Sequence, residues 1–209
     1  MIQASVGLSE GEDAYAVGAN AAQDAIDRLG ATDPNAVIVF SSVAYDQQKM
    51  LDGVRSVTKN ATLVGCSTAG EITTDGPAKR HSVAVMALKT EGISFYAGVG
   101  ENIAASARTA GQKAADAVKK QAPGEKLDAF IMLPDVLVGN GADIVRGVLD
   151  SLGPHFPLVG GAAGDDFEFK KTFQYLNDKV YSGAVIGFGL QGTFKMGIGV
   201  KHGWIPVGS

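Results

Sequence analysis

Two glycine-rich stretches carry the residue types best suited to chemistry. Gly65-Cys66-Ser67-Thr68-Ala69-Gly70-Glu71 follows the apolar run 61–64, and Gly160-Gly161-Ala162-Ala163-Gly164-Asp165-Asp166 follows the run 157–159. Read as turns leaving the carboxyl end of a strand, both allow close backbone approach and offer N–H groups to an anionic or carbonyl oxygen. Cys66, Ser67 and Thr68 add side-chain donors in the first stretch. Glu71 in the first, and Asp165 and Asp166 in the second, can accept from an ammonium. A site combining both turns suits a small zwitterion. The candidate ligand-binding residues are therefore Gly65, Cys66, Ser67, Thr68, Glu71, Gly160, Gly161, Asp165 and Asp166. The plainer alternative is that these glycines let strands bend or sheets pack, with small side chains fitting a crowded junction.

Other chemistries find less support. Neither stretch is a phosphate motif, because no GxGxxG opens a helix and no glycine loop ends in Lys followed by Ser or Thr. Cys66 would become a nucleophile with a base such as His81 beside it, but His81, His155 and His202 are not spaced as any known triad. A lone cysteine after an apolar strand is more often a small buried residue. No catalytic residue is assigned, and a hydrolase or transferase using Cys66 stays as the alternative to a binding domain. A ligand-free protein-interaction scaffold is the third reading. Neither CxxC nor HExxH occurs, so no metal is assigned, and no cofactor is expected. Asp135, Ser41 and Ser42 fall at the ends of central strands, where they border a pocket or simply serve as turn and capping residues. Trp204 would cover the site or pack on further sequence.

Composition narrows the class. The 209 residues suffice for one large domain or two small fused ones. With 45% apolar and 19% charged residues, the sequence has ordinary globular usage. A net charge of -4 and scattered Lys and Arg speak against nucleic acid as a partner. Apolar stretches such as 83–88 and 184–190 fall well short of the roughly 20 residues a bilayer crossing needs. The first residues lack a signal-peptide pattern and the single cysteine cannot form an internal disulfide, so a reducing cytoplasm is expected. Glycine is the outlier: 28 of 209 residues is about 13%, against a usual share of roughly 7%.

The elements that must position these stretches recur in order. Ile2-Gln3-Ala4-Ser5-Val6-Gly7-Leu8-Ser9-Glu10 lines up with Ile93-Ser94-Phe95-Tyr96-Ala97-Gly98-Val99-Gly100-Glu101, 91 residues on. Helical stretches match around Ala21 and Lys113, strands around Val37 and Phe130 and around Leu63 and Leu158, and Gly92 answers to Gly192. This predicts a duplicated β-α-β-α-β-β unit, with pseudo-repeats over about 2–92 and 93–200.

In the first copy, Ser9 and Glu12 form a capping box before a helix ending at Leu29 with Gly30 as its stop. A strand over 36–40, a helix over 46–57, a strand over 61–64 and a strand over 82–88 follow, with a polar turn around Asp75-Gly76-Pro77. The second copy has a strand over 93–99, helices over 104–120 and 142–152, and strands over 129–133, 157–159, 172–175 and 181–190. A last strand over 193–200 stands where a third unit would begin. Because strands 82–88 and 93–99 follow one another closely, the fold class is α/β with mixed sheets, packed sheet against sheet with helices outside. Strand order is left open.

The stretch Leu63-Val64-Gly65-Cys66-Ser67-Thr68-Ala69-Gly70-Glu71-Ile72, with Leu158-Val159-Gly160-Gly161-Ala162-Ala163-Gly164-Asp165-Asp166 and Gly203-Trp204, resembles the N-terminal half of the FIST domain. The resemblance covers nearly the whole chain. It implies an intracellular ligand-sensing module for signal transduction, with small ligands, amino acids among them, and a signalling output protein as partner. It also implies a C-terminal FIST half, which this sequence lacks, and it transfers no catalytic residue.

Overall fold

The computed structural model describes residues 2–31, 33–74 and 76–199, with 203, 205 and 207. The first half contains β1 (Ile2–Glu10), α1 (Ala14–Leu29), β2 (Ala36–Ser42), α2 (Gln47–Thr58), β3 (Thr62–Thr68), the hairpin β4 (Glu71–Thr73) and β5 (Gly76–Lys79), and β6 (Ser82–Thr90). The second contains β7 (Ile93–Gly100), α3 (Ala107–Lys119), β8 (Ala129–Pro134), α4 (Gly141–Leu152), β9 (Leu158–Gly160), the hairpin β10 (Gln174–Leu176) and β11 (Lys179–Tyr181), and β12 (Val185–Gly192).

The sheet orders are β1-β6-β2-β3-β10-β11 and β7-β12-β8-β9. The first four strands of each follow one plan: the opening strand lies beside the closing one, then the second, then the third. β2 and β3, like β8 and β9, run parallel, while the other described pairs are antiparallel. The fold is thus mixed α/β and internally duplicated. The hairpins break the symmetry. β4 and β5 pair only with each other, whereas β10 crosses from the second half to pair with β3 and extend the first sheet.

Strand alternation sorts the apolar residues into layers. Val37, Val39, Leu63, Val83 and Val85 face α1 and α2, whereas Ile38, Phe40, Val64 and Cys66 face Leu133, Ile186 and Phe188 of the other sheet. Helices α3 and α4 cover the second sheet's outer face through Ala115, Val118, Ile144 and Val148. The order is helices, sheet, sheet, helices. Within each helix pair, glycine permits backbone contact. A Cβ on Gly53 would stand 2.1 Å from Tyr15 O, and one on Gly147 1.9 Å from Arg108 O.

Several expectations change. Ser9 and Glu12 do not cap α1; β1 continues through Glu10, and the Asp13 carboxylate instead accepts from Ala16 N at 2.7 Å. Gly30 does stop the helix, at φ 69°. The strand expected over 181–190 is two strands in different sheets, because Gly183 at φ 68° turns the chain between β11 and β12. No strand forms over the described part of 193–200: β12 ends at Gly192, and residues 193–199 have no partner strand. Trp204 and His202 lie outside the described residues.

Candidate functional site

The largest revision concerns the first glycine stretch. Gly65, Cys66, Ser67 and Thr68 belong to β3, which continues to Thr68, and only Ala69 and Gly70 bend. As strand residues they alternate between faces. Cys66 and Thr68 face the second sheet with Phe40, while Gly65 and Ser67 face outward. A Cβ on Gly65 would overlap the Tyr175 ring and Val39 O, so this glycine serves close packing. The Ser67 hydroxyl donates to Gly164 O at 2.6 Å and accepts from Phe173 N at 2.9 Å.

Those bonds bring the two stretches together. Gly164 N donates to Ser67 O and Asp166 N to Thr68 O. A Cβ at Gly164 would sit 2.9 Å from Ala69 N, so no larger residue allows this approach. The carboxyl ends of the parallel pairs β2–β3 and β8–β9 thereby meet between the sheets, where α/β proteins place ligands. A cavity of about 360 Å3 lies there, bounded by Cys66 and Thr68 of β3, Ile131 and Leu133 of β8, and exposed Gly160 and Gly161 beyond it. A second cavity of about 190 Å3 adjoins it at Phe40 and Thr68 and reaches Gly70, Glu71 and Ala84. A hollow of about 340 Å3 around Asp33, Asn35 and Lys59 lies at the opposite strand ends, away from every candidate residue.

The acidic groups divide in role. Glu71 is 3% exposed, and its carboxylate accepts from Thr68 Oγ1 at 2.5 Å and from Ser82 Oγ. Burial raises its pKa, the hydroxyls of Ser82 and Thr68 pull it back, and the nearby Asp166 charge adds to the rise. Asp166 accepts from Ser42 Oγ at 2.6 Å through Oδ2. Its Oδ1 is buried with no hydrogen-bond partner, and its backbone is left-handed at φ 55°. Asp165 does something else: its carboxylate accepts from the amides of Phe169, Lys170 and Lys171, closing its own loop. Burial opposes ionisation of Asp165, but these amides prevail and hold its pKa below the usual carboxylate value.

The structure brings Cys66, Thr68, Glu71, Gly160 and Gly161 to the adjoining cavities, sets Asp166 behind Thr68, and turns Gly65, Ser67 and Asp165 to packing and loop closure. Of the bordering residues, Ser41 shares a hydrogen bond of 2.7 Å with the Tyr175 hydroxyl, Ser42 holds Asp166, and Asp135 binds the amides of Leu137 and Gly183. Sequence reasoning missed Phe40 and Ser82. Phe40 sat inside the strand expected over 36–40, and its register opposite Cys66 places it on the cavity face.

Cys66 is not arranged as a nucleophile. It is 2% exposed, and burial pushes its pKa up to about 12, so it is a neutral thiol at physiological pH. The His81 ring packs on Tyr45 at 4.6 Å.

A family model described as FIST N domain matches residues 35–209. An uncharacterised protein of Methanocaldococcus jannaschii is 27% identical over 180 residues, covering 81% of this chain and 34% of that protein. The chain thus spans about a third of that relative's length. Among solved structures, a cyanuric acid hydrolase from A. caulinodans is similar at TM-score 0.45 and 10% identity, covering 92% of this chain and 72% of that one. Another cyanuric acid hydrolase has the same score and identity, with 92% and 69% covered. Similarity at this level carries no argument about activity. No described helix is long and apolar enough to cross a membrane.

Proposed function

Because the chain belongs to the FIST N domain family, a family of signal-transduction sensor domains, we propose that it senses a small polar metabolite of the amino-acid class, bound where β3 and β9 end. One observation carries this reading. The carboxyl ends of corresponding strands in the two halves line opposite walls of a single cavity, with the buried Glu71 next to it. An ammonium there would offset the desolvation that Glu71 bears, and the Thr68 hydroxyl would orient the ligand. Gly160, exposed at the cavity rim, would meet a carboxylate through its backbone, while the neighbouring Gly161 amide is already given to Met132 O. A site built by two halves also gives the ligand a means of changing how they sit together, which is what a signalling output protein would read.

The test is a thermal-shift screen of amino acids and small carboxylates. At least one amino acid should raise Tm, and the shift should disappear in Glu71→Gln and Thr68→Val variants that remain folded. No stabilisation of the wild-type protein by any of them, alone or in a longer natural chain, would refute the reading. The protein's partners and its place in the cell follow from the same reading: a small-molecule ligand, an output protein, and the cytoplasm.

A further inference from the structure

Phe40 is common to three spaces along the inner face of the first sheet. It borders the cavity between the sheets, the smaller one at Glu71, and a groove of about 400 Å3 under the β4–β5 hairpin. That groove runs past Val6, Ile72, Ala84 and Met86. The hydrogen-bonding groups concentrate in the middle, at Thr68 and Glu71. On one side lie Cys66, Ile131, Leu133 and Val159, and on the other Val6, Ala84 and Met86, with only Thr73 and Thr74 adding hydroxyls at the rim. One polar position between two apolar compartments, with a half-buried aromatic ring shared by all three, has the form of a partition.

We propose that the ligand is an amphiphile with a cationic head at Thr68 and Glu71 and an unbranched apolar body in the compartment between the sheets. In this arrangement that compartment limits the length of the body, and Phe40 keeps the body out of the larger groove at Val6 and Met86. The proposal rests on the site assigned above and adds what determines its choice of ligand. Phe40 pairs with Ala84 on one side and Cys66 on the other. Both are small, so the Phe40 ring is the one side chain common to all three spaces, with Thr68 and Ile72 at their separate junctions. Shortening the ring would join them without touching the polar groups.

The experiment uses straight-chain α-amino acids of rising length, from 2-aminobutyric to 2-aminodecanoic acid, titrated by calorimetry into the wild-type protein, Phe40→Ala and Phe40→Leu. Wild type should show an affinity optimum at a short or intermediate chain. Both variants should move that optimum to longer chains, with a gain of about fourfold in affinity for each methylene newly accommodated. Phe40→Leu retains most of the packing and carries the test should Phe40→Ala fail to fold. Folded variants with the wild-type length profile, or with equal loss at every length, would overturn the partition and leave the site standing. Absence of binding by the wild-type protein at every length would overturn the site assignment, and the partition with it.

Discussion

Ser67 and Thr68 are adjacent in the chain, yet their hydroxyls act on opposite faces of the first sheet. Extended backbone forces this, because successive side chains point to opposite sides, so a stretch read as a turn with converging donors becomes one with half of them turned away. Cys66 falls on the cavity side but is buried and protonated. A thiol reagent near neutral pH should leave the native protein unlabelled and modify Cys66 only after denaturation; rapid native labelling would show that the thiol is not buried. The pH dependence has a definite sign. The folded thiol titrates near 12 and the unfolded one near its ordinary value of 9, so above that value the unfolded state releases the proton first. Its contribution to stability is complete below pH 9 and is lost as pH rises toward 12, at about 1.4 kcal/mol per unit. Chemical denaturation of wild type and Cys66→Ala from pH 8 to 10.5 should show a steeper decline for wild type.

At the scale of elements, the helix pairs repeat one device. Gly18 meets Met50 O and Gly53 meets Tyr15 O where α1 crosses α2, and Gly111 meets Ile144 O and Gly147 meets Arg108 O where α3 crosses α4. A glycine on a free helix surface gains about 1 kcal/mol on change to alanine. Here the added methyl would enter the facing backbone, so Gly147→Ala should destabilise by about 2–3 kcal/mol and lower Tm by roughly 5–10 °C. The exposed Gln112→Ala should change stability by no more than about 0.5 kcal/mol. A Gly147→Ala protein as stable as wild type would mean that the helices do not touch through their backbones. These glycines were visible in the sequence only as extra glycine. Helix periodicity, the Gly30 stop and the four helices themselves were readable, because 3.6-residue patterning and caps are local properties.

For the whole molecule, β10 joins the halves: it belongs to the second in sequence and to the first sheet by pairing. Its Tyr175 is fully buried among first-half residues, and its hydroxyl donates to Gln47 Oε1 at 2.5 Å and bonds Ser41. Tyr175→Phe should therefore cost about 1–3 kcal/mol and act on a single cooperative transition. Two separate unfolding transitions followed by denaturant titration would show that the halves are independent. By itself the sequence established the α/β class, the duplicated order of elements and the mixed sheets with outer helices, since these follow from periodicity, composition and self-similarity along the chain. Tertiary structure alone decided the strand order, the crossing of β10 into the first sheet, and the bonds that seat Gly164 and Asp166 against β3. It also decided which of nine candidate residues reach a cavity. Those facts depend on contacts between residues about a hundred positions apart, and on a one-residue phase within β3 that reverses every side chain it shifts.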